Sequence, residues 1–194
     1  MLVDCIYLGL KLFLILFFAD MLTGLVHWAE DTYGDPNWKF MGIGKHVVWP
    51  NLIHHKYPRE MIKGTWLDRV WTSVVFIVIL TAIVWAFGGL TIEVAAVFWI
   101  AVWGNEFHCW THRSPQENGK FITFLQKIYI LQAPKQHAKH HFSPYDTNFC
   151  VMFSFVNPIL QFLRFWKILE GTLSLIGLKP ARGKEFRKVE DKFY

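Results

Sequence analysis

Residues 6–28 (IYLGLKLFLILFFADMLTGLVHW) are apolar except where Lys11, Asp20 and His27 interrupt them. At about 1.5 Å of rise per residue they are long enough to cross about 30 Å of hydrocarbon as one helix. Residues 70–87 (VWTSVVFIVILTAIVWAF) carry no charge and predict the clearest span in the chain. Gly88 and Gly89 break that run, and residues 90–107 return as a further apolar stretch with Glu93 near its start, so the pair predicts a transmembrane hairpin. Residues 121–133 place Phe121, Phe124, Leu125 and Ile128 on one helical face, which suits a helix lying in the membrane interface. Residues 149–166 are apolar but contain Asn157-Pro158 and end at Arg164, predicting an interfacial or re-entrant element. The expected fold is all-α: a multi-pass membrane protein of about three spans plus interfacial helices. One domain is expected over residues 1–182, followed by a charged, mobile tail over 183–194. A secretory signal peptide fits the first block less well, because no basic stretch precedes it and no small-x-small cleavage site follows.

Composition and charge sharpen this picture. The 194 residues are 53% hydrophobic and 18% charged, against about 25% charged in ordinary soluble domains. A disordered chain, a disulfide scaffold and a water-soluble nucleic-acid binder are thereby disfavoured. The formal net charge of +5 sits on residues flanking apolar segments, which suits anionic lipid headgroups better than nucleic acid. Three cysteines, Cys5, Cys109 and Cys150, leave an odd one over and fit a reducing, cytosol-facing protein. No Lys or Arg lies between Arg69 and Arg113. By the positive-inside rule, the 29–69 loop and the 113–194 tail are then cytoplasmic and Met1 lies on the far side. The membrane would be the endoplasmic reticulum in a eukaryote or the cytoplasmic membrane in a bacterium.

The candidate chemistry lies in the histidines, of which there are nine. Eight fall in groups: His27 at the end of the first span, His54-His55, His108 with His112, and His137 with His140-His141. All are predicted at the cytoplasmic surface. His108 and His112 are four apart and share a helix face with Asn105, His137 and His141 are also four apart, and so are His27 and Asp31. Neutral imidazole is the commonest protein metal ligand. A single zinc uses about three or four protein ligands, so eight histidines match two metals better than one. Ligand type leaves iron, zinc and copper open. A bilayer-surface site without an H-E-x-x-H motif favours oxygen chemistry on lipid over hydrolysis, and hence iron. Asp20, inside the first span, is expected either to orient a ligand or touch substrate, or else to be hydrated near the interface. His46, standing alone, reads as a solvated or headgroup-contacting side chain. Gly42-Ile-Gly44 lacks the third glycine and preceding strand of a dinucleotide loop, and no electron-carrying domain is visible.

The segments Asp20–Gly34, His54-His55-Lys56-Tyr57-Pro58, Asn105 through His112, and His137 through Pro144 with Phe149-Cys150, resemble the Kua lipid desaturases in order and spacing, from about residue 19 to about 182. That family includes the animal plasmanylethanolamine desaturase, a carotenogenesis-linked bacterial relative and a plastid desaturase acting on phosphatidylglycerol. Residues 56–69 depart from the family pattern in lacking a further histidine. The resemblance implies a membrane-embedded di-iron centre that removes two hydrogens from a lipid chain with O2 and two electrons. It makes His27, His54, His55, His108, His112, His137, His140 and His141 the metal ligands, with Asp31 and Asn105 as ligands or groups that orient them. It also implies a phospholipid substrate in the bilayer and a separate electron donor of the cytochrome b5 or ferredoxin type. Ether lipid is the first expectation and an acyl lipid the second. A non-enzymatic haem-binding electron carrier is the rival from another class, although His54-His55 and HxxHH crowd too many imidazoles together for simple bis-histidine ligation.

Overall fold

The structure, a computed structural model, describes residues 1–181, and the charged tail expected over 183–194 lies outside the described residues. The described residues form helices and turns, and the strand-like pairing among them is an isolated bridge between Leu131 and Phe153. Helix α1, Leu2–Tyr33, overruns the predicted first span at both ends, since no helix breaker occurs until Gly34-Asp35-Pro36. A π-helical turn over Gly44–Val48 leads into α2, Trp49–Lys56. Helix α3, Trp66–Ala86, matches the second predicted span, and a reciprocal capping box between Thr65 and Asp68 sets its start. Among the described residues, α1 and α3 are the helices long and apolar enough to cross a membrane. Their apolar side chains, such as Leu12, Val78 and Ile83, stand exposed along the outer surface, as lipid-facing residues do.

The expected third span, 90–107, is not one helix. After a turn in which Gly88 takes φ +71, α4 runs Ile92–Ala101 against α1, and α5 runs Gly104–His112. The break tightens through Trp103 N–H to Ile100 O at 3.1 Å. Gly104 sits so close to α1 that a Cβ there would lie 2.6 Å from Thr23 Cγ2. The ion pair of Lys11 with Glu93, at 2.5 Å, ties α4 to α1 near the end remote from the histidines.

The interfacial helix expected at 121–133 falls within α6, Pro115–Lys127, which breaks at Gly119 (φ +72) and ends at Lys127, short of 133. Its start is fixed earlier by Ser114 and Glu117, which cap one another, and by Pro115 in the first turn. Phe121 and Phe124 remain exposed on it. Next come α7, Pro134–His137, a 3-10 turn over Ala138–His141, α8, Val156–Phe162, and α9, Phe165–Leu175.

The largest departure from expectation is the segment expected at the lipid surface, 149–166. Phe149, Cys150 and Met152 are fully buried and form the heart of the main core with Trp28, Leu131, Val156, Leu160 and Trp166. The segment can be buried because its backbone is satisfied there. Asn157 accepts from Cys150 N–H and donates to Cys150 O, Gln132 donates to Cys150 O, and Gln132 N–H reaches Met152 O.

A candidate two-metal centre

Four stretches of chain meet at one end of the helices: the C-terminal end of α1, α2, the C-terminal end of α5, and the α7 turn. There the eight grouped histidines come together as two sets of candidate metal donors. The first is His54, His108, His112, His137 and His141, and the second is His27, His54, His55 and His140, with donor atoms in each set within 4.8 Å of one another. His54 belongs to both. His46 joins neither and packs its ring against Trp71.

In the first set the Nε2 atoms of His108, His112 and His137 form a triangle with edges of 2.8, 3.1 and 3.2 Å, and His141 Nε2 lies 3.0 Å from His137 Nε2. A neutral imidazole nitrogen is either a donor or an acceptor. Around a ring of three such contacts, at least one must therefore join two atoms of the same kind. A cation taking all three lone pairs removes that conflict. The spacing suits this, because nitrogens about 2.1 Å from a shared ion at tetrahedral or octahedral angles are about 3.0–3.4 Å apart.

In the second set, His140 Nε2 lies 3.1 Å from His27 Nε2. The Asp31 carboxylate lies among them, with Oδ2 at 3.0 Å from His140 Nε2 and 3.4 Å from His27 Nε2, and Oδ1 at 3.1 Å from His55 Nε2. Asn51 donates to Asp31 Oδ1 at 2.6 Å. Three backbone carbonyls orient the rings. His27 Nδ1 donates to Phe149 O at 3.0 Å, His140 Nδ1 donates to Thr147 O at 2.9 Å, and His54 Nδ1 donates to Asn51 O. A carbonyl can only accept, so each of these rings carries a proton on Nδ1, which leaves Nε2 as the atom turned toward the other donors. His54 Nε2 is buried without a hydrogen-bond partner. The residues present thus fit a pair of metal ions.

Burial keeps His54, His137 and His141 neutral. It pushes His54 and His137 well below the ordinary histidine value and takes His141 down to about 2, with neighbouring imidazoles adding to the effect. A cavity of about 260 Å³, lined in part by Glu30, Val47, Asn51 and Met61, reaches His54 and His108.

Asp31 lies beside the second donor set, 3.0–3.4 Å from the Nε2 atoms of His140, His27 and His55. Asn105 and Asp20 do not join either donor set. Asn105 donates to Arg69 O and Ser73 Oγ, joining α5 to α3. Asp20 is neither hydrated nor among the histidines. It is fully buried and accepts the N–H groups of Val151, Met152 and Phe153 at 2.8–2.9 Å. Asn51, Thr147 and Phe149 were not legible as site residues. They act through backbone atoms, apart from the amide of Asn51, and backbone atoms leave no mark in residue identity.

The profile of the lipid desaturase domain matches residues 16–182 of this chain. The chain is 31% identical over 177 residues to a probable fatty acid desaturase of Acanthamoeba polyphaga mimivirus, covering 91% of this chain and 87% of that protein. It is 28% identical over 172 residues to a chloroplastic fatty acid desaturase 4-like protein of Arabidopsis thaliana, covering 87% of this chain and 57% of the other. It is 28% identical over 175 residues to plasmanylethanolamine desaturase 1 of Mus musculus, covering 84% of this chain and 64% of the other. The chain thus spans less than two thirds of the plant and mouse relatives. No solved structure matches it. With most of its length inside the domain profile and its helices apolar enough for a bilayer, the chain belongs to the lipid desaturase family of membrane proteins.

Proposed function

We propose that this chain is a membrane-bound, non-haem di-iron lipid desaturase that forms the vinyl ether bond of plasmalogens from 1-O-alkyl phospholipids. The observation that carries the reading is the pair of donor sets sharing His54, built from all eight grouped histidines. His108, His112, His137 and His141 hold one iron, His27, His55, His140 and Asp31 hold the other, and His54 lies within reach of both. Contacts of 2.8–3.2 Å between imidazole nitrogens leave no gap for a porphyrin, which favours bare ions over haem.

When bound, the iron pair supplies O2-dependent removal of two hydrogens from adjacent carbons. With two electrons and two protons from outside, O2 leaves as two waters. The chain's own groups hold the metals and fix the imidazole tautomers through Phe149, Thr147 and Asn51. The electrons come from a separate donor of the cytochrome b5 or ferredoxin type. The topology is multi-pass with the histidines on the cytoplasmic face. Because the donors stand at helix ends, the carbons next to the glycerol are the ones within reach of the metals. The mouse relative's name supports the ether substrate, as does that of a 25% identical plasmanylethanolamine desaturase of Myxococcus xanthus.

An acyl-lipid desaturase is the second reading, favoured by the names of the mimivirus and Arabidopsis relatives. Expression in a host that makes alkyl-ether phospholipids but no plasmalogens separates the two, because acid cleaves vinyl ethers to aldehydes and spares acyl double bonds. Aldehyde release that vanishes in His108→Ala supports the ether reading. A new acyl double bond without aldehyde transfers the assignment to the second reading, and iron-loaded, electron-supplied protein that alters no lipid rejects both.

A further inference from the structure

The peptide over residues 147–153 has two faces. On one, Thr147 O and Phe149 O accept the Nδ1 protons of His140 and His27 at 2.9 and 3.0 Å. Asn148 between them takes φ +60, a left-handed conformation that asparagine tolerates better than most residues. On the other, the N–H groups of Val151, Met152 and Phe153 converge on the carboxylate of Asp20, with Thr23 Oγ1 3.3 Å from Asp20 Oδ1. A carboxylate receiving three successive backbone donors makes charge-assisted bonds, stronger than bonds between neutral groups. Asp20 and His27 are on the same rigid helix, α1, seven residues apart.

We infer that Asp20 is a positioning residue for one of the two metals: by gripping 151–153 it fixes where Phe149 O and Thr147 O stand, and so aims His27 and His140. This rests on the two-metal reading above. The effect is selective. His27 and His140, which the segment's carbonyls orient, both belong to the second donor set, whereas the imidazole nitrogens of His108, His112, His137 and His141 in the first contact one another. Loss of a partner that orients a ligand ordinarily weakens metal affinity by about 10–100-fold.

The test is Fe(II) and Co(II) titration of the full, metal-stripped chain in detergent, read by metal per chain and by the Co(II) visible spectrum. Asp20→Asn keeps the side chain's size but turns an amide toward three N–H donors, and Asn157→Ala frees Cys150 of the same segment without touching α1. Wild type is expected to take up two ions tightly. Both variants are expected to keep one tight site and to bind the second ion about 10–100-fold more weakly, with only one of the two Co(II) band sets altered. If Asp20→Asn does not fold, Asn157→Ala gives the answer alone. Two unchanged sites in a folded variant, or both weakened equally, overturn the inference while leaving the desaturase reading intact. A wild-type chain that takes up no metal overturns both.

Discussion

Arg69 Nε donates to Glu106 Oε2 at 2.6 Å, with both side chains almost closed off from the surroundings at 8% and 13% exposure. The guanidinium also reaches Gly64 O, and Glu106 takes further bonds from Trp110 Nε1 and Arg113 Nη1. This pair locks the base of α3 to α5, the helix that carries His108 and His112. Removing one partner of such a pair strands the other charge. Glu106→Ala should therefore lower stability by about 3–5 kcal/mol, measured as thermal unfolding in detergent. Glu117→Ala, which breaks the exposed pair with Arg59, should change it little. Equal effects of the two would show that the α3–α5 joint does not depend on the buried charge.

Purified protein should hold about two irons per chain, since eight histidines exceed the three or four ligands of a single site. His112→Ala and His141→Ala each remove a donor from one set and should abolish activity with little change in membrane insertion. His54→Ala touches both sets and should cost more metal than either. Elemental analysis of membrane-extracted protein decides this, and stoichiometric zinc without iron would refute the oxygen chemistry.

Tags placed after Lys56 and after Gly183 should both report the cytoplasm, while one at Gly89, in the turn between α3 and α4, should report the opposite side. Gly89 and Lys56 reporting the same compartment would be incompatible with α3 as a span.

The metal-stripped protein should lose stability as pH falls. Burial holds His54 and His137 well below the ordinary value and His141 at about 2, while in the unfolded chain each titrates near about 6.5. Below about 6.5 the unfolded chain takes up protons that the folded chain refuses, so folding weakens progressively toward the depressed values. The unfolding midpoint should be lower at pH 5.5 than at pH 7.5. An unchanged midpoint would mean that these rings are not buried in neutral form.

The histidine groups, the two long apolar helices and the place of Asp31 were legible because each rests on residue type and spacing. The buried course of 149–154 was not. An apolar run reads alike whether lipid or protein covers it, and what distinguishes them here is Asp20, 131 residues distant from Val151 in sequence. The start of α6 was legible in Ser114-Pro115-Gln116-Glu117, yet the apolar face of 121–133 drew the prediction further along the chain. The break before α5 depends on the approach of Gly104 to Thr23, a contact between helices with no local signature.

The ion pair of Lys11 with Glu93 has a bearing on how the enzyme sits in its solvent. Sixteen residues of α1 separate Lys11 from His27, about 24 Å of rise, whereas hydrocarbon is about 30 Å thick. In the proposed topology, with that pair at the far boundary, the histidine centre lies about 6 Å below the near headgroups. A lipid would then reach the metals without being lifted from its leaflet. Bilayer thickness becomes a control on the reaction: thinner membranes would raise the centre toward the headgroups and thicker ones would sink it further along the chain, with a shift in which carbons are presented.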